Sequence, residues 1–157
     1  MNYLNDIDVH SIVWKSIKNE GLDLEYTVPI PKQVASSIMK HLEDTLEYFT
    51  GDLSKIKYRN GCDHMGEHRD NEPELDPNYP IASISLGQKR PFVLKHKDSR
   101  KPGKHKKPIP PVKIDLEHGS ILLMNPPTNE IWYHSLPTRK KVLGVRINLT
   151  FRKMRKI

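Results

Sequence analysis

Hydrophobic positions along the chain change their period part way through. Val34, Ile38, Leu42 and Leu46 recur every four residues, and Phe49 follows three further on. That spacing puts them on one face of an α-helix over about 31–49, with Glu43, Asp44 and Glu47 elsewhere. Pro31 opens the helix, where its missing N–H costs nothing, and Gly51 is the expected stop. The helix reads as scaffold. Ahead of it, the stretch 14–28 predicts a short strand. From residue 80 onward the period becomes two, and 80–86, 91–96, 112–116, 120–124, 131–136 and 141–152 all read as strands. Turn-prone Gly, Pro, Asn and Asp separate them. The stretch 99–111 is basic and rich in Pro and Gly, and reads as an exposed loop at the tip of a hairpin. Short strands this closely spaced suggest a sandwich, barrel or jelly roll.

Length and composition narrow this further. A chain of 157 residues is the size of one domain. No stretch approaches the roughly 18 apolar residues that span a membrane, so no membrane association is expected. The first residues lack the cationic start and apolar run of a signal peptide. A lone Cys62 excludes an internal disulfide framework and a Cys-only zinc site, which suggests a reducing compartment. Cys62 itself is expected to be a small buried side chain. Charge is uneven: residues 1–80 hold 8 Lys/Arg against 15 Asp/Glu, and residues 81–157 hold 18 against 4. The basic half contains two clusters, Lys89 to Lys107 and Arg139 to Lys156. Such clusters attract polyanions, of which nucleic acid is the commonest; a solvated surface is the plainer alternative.

Candidate chemistry begins at His68-Arg69-Asp70. In an extended segment, residues two apart point to the same side, so His68 and Asp70 can face one point. His134 lies on an expected strand. Two His and one carboxylate form the facial triad of non-haem Fe(II) oxygenases. A rival set is Cys62, His64 and His68 around zinc, whose ligand types are acceptable but whose spacing lacks an obvious fourth member. His10, His41, His64, His96, His105 and His118 are expected to be surface or hydrogen-bonded histidines. The last strand alternates without a break over 145–152. One face carries Val, Ile, Leu and Phe, and the other Arg146, Asn148, Thr150 and Arg152. A half-buried strand with its polar face in water would show this pattern. Two arginines with Asn and Thr between them also make a cradle for a dicarboxylate, because the planar guanidinium binds carboxylates in bidentate fashion.

With these residues in view, the chain resembles the AlkB family of Fe(II)/2-oxoglutarate dioxygenases, nearest its DNA oxidative demethylases. The resemblance is carried by 60–70, 80–83, 96–100, His118-Gly119-Ser120, Pro127-Thr128-Asn129, 132–137 and the Arg-x-Asn-x-Thr-x-Arg strand, and by 47–51 in the lead-in. It implies a mainly β fold with a flanking helix and a double-stranded β-helix (jelly-roll) core. The whole of 1–157 would form one dioxygenase domain, with a lead-in over 1–51 and a catalytic core over 57–157. His68, Asp70 and His134 would hold iron. Arg146, assisted by Tyr58 and Thr150, would hold the far carboxylate of 2-oxoglutarate, and Arg152 the end that chelates the metal. O2 would be the other co-substrate. The implied substrate is alkylated DNA carrying 1-methyladenine or 3-methylcytosine, repaired by a nuclear, monomeric enzyme. Asn71 and Glu72 would read the base. Arg100, Lys101 and Lys104, with Arg139, Lys140 and Lys141, would grip the DNA backbone.

The sequence departs from the family at three points. It passes from Thr50-Gly51-Asp52-Leu53 almost directly to Tyr58, where family members carry a longer segment with the nucleotide-recognition lid, the finger that fills the gap left by a flipped base and an early core strand. Ile56 stands where the family has an Asn that contacts 2-oxoglutarate. Asn71 stands where the family's DNA demethylases that the chain resembles have a carboxylate that helps read the base. The resemblance therefore implies better-kept iron binding than duplex repair.

Overall fold

The computed structural model describes residues 9–44, 53–70 and 72–155. The chain enters through a hairpin of β1 (Lys15–Asn19) and β2 (Leu22–Thr27), closed by Gly21 at φ +64°. Helix α1 (Lys32–Asp44) follows, then β3 (Leu53–Tyr58) and β4 (Met65–His68). The remaining strands are β5 (Ile81–Gly87), β6 (Arg90–His96), β7 (Val112–Leu116), β8 (Ser120–Met124), β9 (Trp132–Leu136) and β10 (Arg146–Phe151). A short helix, α2 (Thr128–Ile131), leads into β9.

The strands form two antiparallel sheets, ordered β1-β2-β8-β5-β10-β3 and β4-β9-β6-β7. The chain crosses from one sheet to the other between β3 and β4, β4 and β5, β5 and β6, β7 and β8, β8 and β9, and β9 and β10. Repeated crossing of this kind makes the double-stranded β-helix, or jelly roll. Leu22, Leu24, Ile81, Leu94, Ile114, Leu116, Leu122, Met124 and Trp132 fill the space between the sheets. A second cluster lies outside the large sheet, where Ala35, Ile38, Met39 and Leu42 of α1 cover Ile84, Leu86, Ile147 and Leu149.

That second cluster decides which way β10 faces. Its apolar side packs under the helix, so Arg146, Asn148 and Thr150 turn inward between the sheets. The polar face of the last strand is thus in the interior, the reverse of an ordinary amphipathic strand.

Several expectations need adjustment. The region 14–28 holds two strands, and β2 pairs with β8 in the large sheet. The sheet therefore draws on both sides of the expected boundary at residues 51–57. Residues 141–145 are not part of β10, because they belong to a turn in which Val142 N–H donates to the Arg139 carbonyl (2.8 Å). Cys62 is exposed: its N–H is held by Asn60 Oδ1 (2.8 Å) in a tight turn that leaves the side chain outside. The basic loop between β6 and β7 is a hairpin tip, as expected, and contains short 3-10 turns at Lys97–Arg100 and Gly103–His105. Leu46, Phe49 and Gly51, with the expected helix end, lie outside the described residues.

Trp132 is the largest fully buried side chain, and its Nε1–H donates to the Glu20 carbonyl in the β1–β2 turn (2.9 Å). Trp132→Ala removes both that anchor and the centre of the core. The expected loss is about 3–5 kcal/mol, read as a lower urea midpoint with an unchanged slope.

Candidate metal and co-substrate site

His68 ends β4, Asp70 follows two residues later, and His134 sits at the middle of β9. The β4–β9 pairing sets His68 directly opposite His134, with Leu94 of β6 on the other side of His134. The two imidazole rings lie 4.3 Å apart at 66°. Each offers Nε2 at 3.6 Å from Asp70 Oδ1. Among the described residues these three are the group able to hold a metal, their donor atoms all falling within 4.8 Å of one another. An ion with bonds of about 2.1 Å puts neighbouring donors roughly 3 Å apart, so a small contraction completes the site. The rival cluster does not form: His64 turns its Nδ1 to the Cys62 carbonyl.

The donor chemistry fits iron. His68 Nδ1 lies 2.9 Å from the Gly66 carbonyl, which can only accept, so Nδ1 carries a proton and Nε2, once its own proton is gone, is the nitrogen left for a metal. His134 is buried, stacks against Phe92, and has no hydrogen-bond partner at Nδ1 to compete for the ring. Asp70 is held by its backbone: Asn129 accepts from its N–H (3.1 Å) and donates to its carbonyl (2.6 Å). Arg152 Nε donates to Oδ2 (2.8 Å), leaving Oδ1 toward the histidines. Burial alone would push the Asp70 carboxyl up. Hydrogen bonds from His134 and His68 and the Arg152 charge outweigh it and hold the group well below the usual carboxylate range. His68 is shifted upward, chiefly by its hydrogen bond to Asp70. A metal must displace that proton, so metal affinity falls as pH drops through the shifted value.

The second half of the site is the inward face of β10. Arg146 is 2% exposed. Its Nη2 donates to Ser85 Oγ (2.8 Å) and Asn148 Oδ1 (3.0 Å), while Nε and Nη1 are buried with no partner. Burial pulls its pKa down to about 10, opposed by Tyr58 beside it. Burial likewise raises Tyr58, and Arg146 opposes that shift. Leaving a buried cation without a counter-charge costs about 3–5 kcal/mol, which an incoming carboxylate removes. Asn148 fixes the geometry: its Oδ1 accepts from Ser83 Oγ (2.9 Å) as well as Arg146, and its Nδ2 donates to Thr150 Oγ1 (2.8 Å). The resulting cavity is lined by His68, Asp70, His134, Tyr58, Arg146, Thr150 and Arg152 together. Ile56, paired across from Asn148, adds an apolar wall.

Other expected residues fall elsewhere. Glu72 is exposed and lines an adjoining cavity of about 410 Å³ beside Asp70 and Asn129. Asn71 lies outside the described residues. Arg100, Lys101 and Lys104 follow β6 beyond His96. Arg139, Lys140 and Lys141 follow β9, where Pro137 is tied to Arg90 (2.9 Å) at the opposite end of β6. The two basic groups are therefore separated by the length of that strand, about 20 Å at 3.4 Å per residue. The second loop is seated on Gly61, whose N–H and carbonyl bond Val142 and Arg139 (2.7 Å each). A Cβ there would stand 1.8 Å from the Arg139 carbonyl oxygen, so glycine is required.

Four supporting residues escaped the sequence reading. Ser83 and Ser85 had a signal, being two apart on an alternating strand beside Ile81. Asn129 lies in the Pro127-Thr128-Asn129 motif but without a role, and Phe92 had no signal, because only the fold brings them to Asp70 and His134.

A metal triad beside a buried arginine cradle, set in a jelly roll, defines an Fe(II)/2-oxoglutarate oxygenase. The sequence pattern of the 2OG-Fe(II) oxygenase superfamily matches residues 15–152, and the chain belongs to that superfamily. Its cofactor set is accordingly Fe(II), 2-oxoglutarate and O2. Within it, the chain is 38% identical to mouse DNA oxidative demethylase ALKBH2 over 208 residues, covering 94% of this chain and 86% of that protein. It is 38% identical to the human protein of that name over 201 residues, covering 90% and 77%. Each alignment is longer than the 157-residue chain, so the relatives carry internal residues that it lacks. Among solved structures, OsALKBH1 is similar over 90% of this chain and 84% of its own, with 19% identity and a TM-score of 0.48.

The two halves of the site are separable by thermal melting, because a ligand bound to the native state raises the melting temperature. Asp70→Ala is expected to abolish the shift given by Mn(II). Arg146→Met is expected to keep the Mn(II) shift and lose the further shift given by 2-oxoglutarate.

Proposed function

We propose that this chain is a DNA repair dioxygenase that removes N-methyl groups from bases such as 1-methyladenine and 3-methylcytosine. The observation that carries the reading is the shared cavity, in which a two-His, one-Asp triad faces a buried arginine with nitrogens still unsatisfied. Similarity to demethylases named ALKBH2 supplies the substrate class.

In this reading residues 1–157 form one catalytic domain. His68, Asp70 and His134 hold iron through one face, with Asn129 and Arg152 fixing the carboxylate. Arg146, Tyr58 and Thr150 hold the far carboxylate of 2-oxoglutarate, and Arg152 serves its metal-binding end. Met65, Phe92, Leu122 and Leu136 form apolar walls that keep water from the reacting groups. Bound iron supplies the chemistry that couples decarboxylation of 2-oxoglutarate to insertion of an oxygen atom into the N-methyl group. The products are succinate, carbon dioxide and an N-hydroxymethyl base, which breaks down to formaldehyde and the repaired base. Asn71 and Glu72 stand beside the metal carboxylate in sequence and are assigned to the base. The two basic loops, Arg100 to Lys104 and Arg139 to Lys141, are assigned to the phosphate backbone. The enzyme acts as a monomer in the nucleus on alkylated DNA.

A second reading keeps nucleic-acid binding without turnover. It is favoured by the internal residues that the relatives carry and this chain lacks. A lesion inside a duplex must leave the stack at a cost of a few kcal/mol, which a base in a single strand largely avoids. Formaldehyde release from 3-methylcytosine oligonucleotides is therefore expected to be faster on single strands than on duplexes. Equal turnover on both would overturn that preference. Absence of any succinate formation from 2-oxoglutarate would remove the enzyme reading and leave the second.

A further inference from the structure

The segment that supplies two metal ligands carries charge on its other side. Glu67 and Arg69 alternate with His68 and Asp70, and their contacts run away from the metal. Glu67 Oε1 accepts from Lys95, and Glu67 Oε2 lies 3.1 Å from Arg100 Nε. Arg100 stacks on Tyr133 with its guanidinium carbon 3.8 Å from the ring centre, and Arg69 approaches the same ring at 4.8 Å. Tyr133 is the cross-strand partner of Lys95 and neighbours His134. Two arginines thus share the Tyr133 ring, and Arg100 and Lys95 share the Glu67 carboxylate, on the outer face of the small sheet. Arg69 also donates to the Glu130 carbonyl, on the rim of the cavity beside Asp70.

We propose that Glu67 is an internal counter-anion occupying the seat of a nucleic-acid phosphodiester, and that Arg69, Lys95 and Arg100, arranged on Tyr133, form that seat. The inference rests on the nucleic-acid reading above and adds to it a residue that opposes binding. A carboxylate and a phosphodiester each present two oxygens to a guanidinium fork, so one can stand in for the other. The ring fixes Arg100 by a flat contact, which reduces the freedom lost on binding. With one negative charge among three positive ones, the cluster keeps an excess of cation, as a polyanion site requires. Glu67 has opposite effects in the two states. Without nucleic acid it holds Lys95 and Arg100 together against their repulsion. With a phosphodiester present it competes for the same donors. Both of its partners are more than a third exposed, so the pairing is screened and can be exchanged.

The test is binding of unmodified single-stranded and duplex oligonucleotides by the full chain across a salt series, with melting temperatures confirming the fold of each variant. Glu67→Gln is expected to bind about three- to tenfold more tightly, with a salt dependence steeper by up to about one unit in the log–log slope. Arg100→Ala and Tyr133→Leu are expected to bind more weakly, and Tyr133→Phe to bind like the parent, since the ring and not the hydroxyl makes the seat. Unchanged or weaker binding by Glu67→Gln overturns the counter-anion, and parental binding by Tyr133→Leu overturns the seat. Formaldehyde release is measured in parallel on the parent chain. Tighter binding by Glu67→Gln with no release from the parent upholds this inference and removes the demethylase reading. Release from the parent with no response to Glu67→Gln does the reverse.

Discussion

The site depends on one carboxylate. Asp70 Oδ1 faces the histidines of β4 and β9 in the small sheet, and Oδ2 takes Arg152, which continues from β10 of the large sheet. Its backbone is clamped by Asn129, just before β9. One side chain therefore ties both sheets together at the metal position. A neutral residue there would leave two histidines without an acceptor and an arginine without its carboxylate. Several weak interactions converge on a buried anion, and their sum outweighs the cost of burying it.

Arg146 presents the opposite balance. It is buried more deeply than Asp70, yet two of its nitrogens have no hydrogen-bond partner in the protein. The fold tolerates this because the apolar face of β10 is covered by α1, which leaves the strand no other way to turn. Stabilisation from the helix contact holds a destabilising charge in place. Binding energy for a carboxylate at Arg146 would thus be prepared when the sheets close, before any ligand arrives.

The sequence made the parts of this site legible but not their packing. His68-x-Asp70 and His134 were visible because a facial triad needs those residue types and a period of two brings the first pair to one side. Arg146, Asn148, Thr150 and Arg152 were visible as one face of an unbroken alternation. Alternation alone could not say which face is buried, since that is set by Leu42 and Ile38 of a helix a hundred residues earlier. Strand positions within the β5–β9 region were legible because Gly and Pro punctuate them. The β1–β2 hairpin was read as one strand because its turn is only Glu20-Gly21. The expectation for Cys62 failed because a preference of residue type for the interior yields to a local turn.

The two-sheet construction has a consequence for the life of the protein in a cell. The residues assigned to the metal and to 2-oxoglutarate lie on both layers, His68, Asp70 and His134 on the small-sheet side and Arg146 and Arg152 on the large. Metal and co-substrate bound together would act as struts between the layers. Proteases act on opened forms, and opening becomes rarer when such struts are in place. Supply of iron and of a central carbon metabolite would then set how long the chain survives as well as how fast it works, so that abundance and activity rise and fall together.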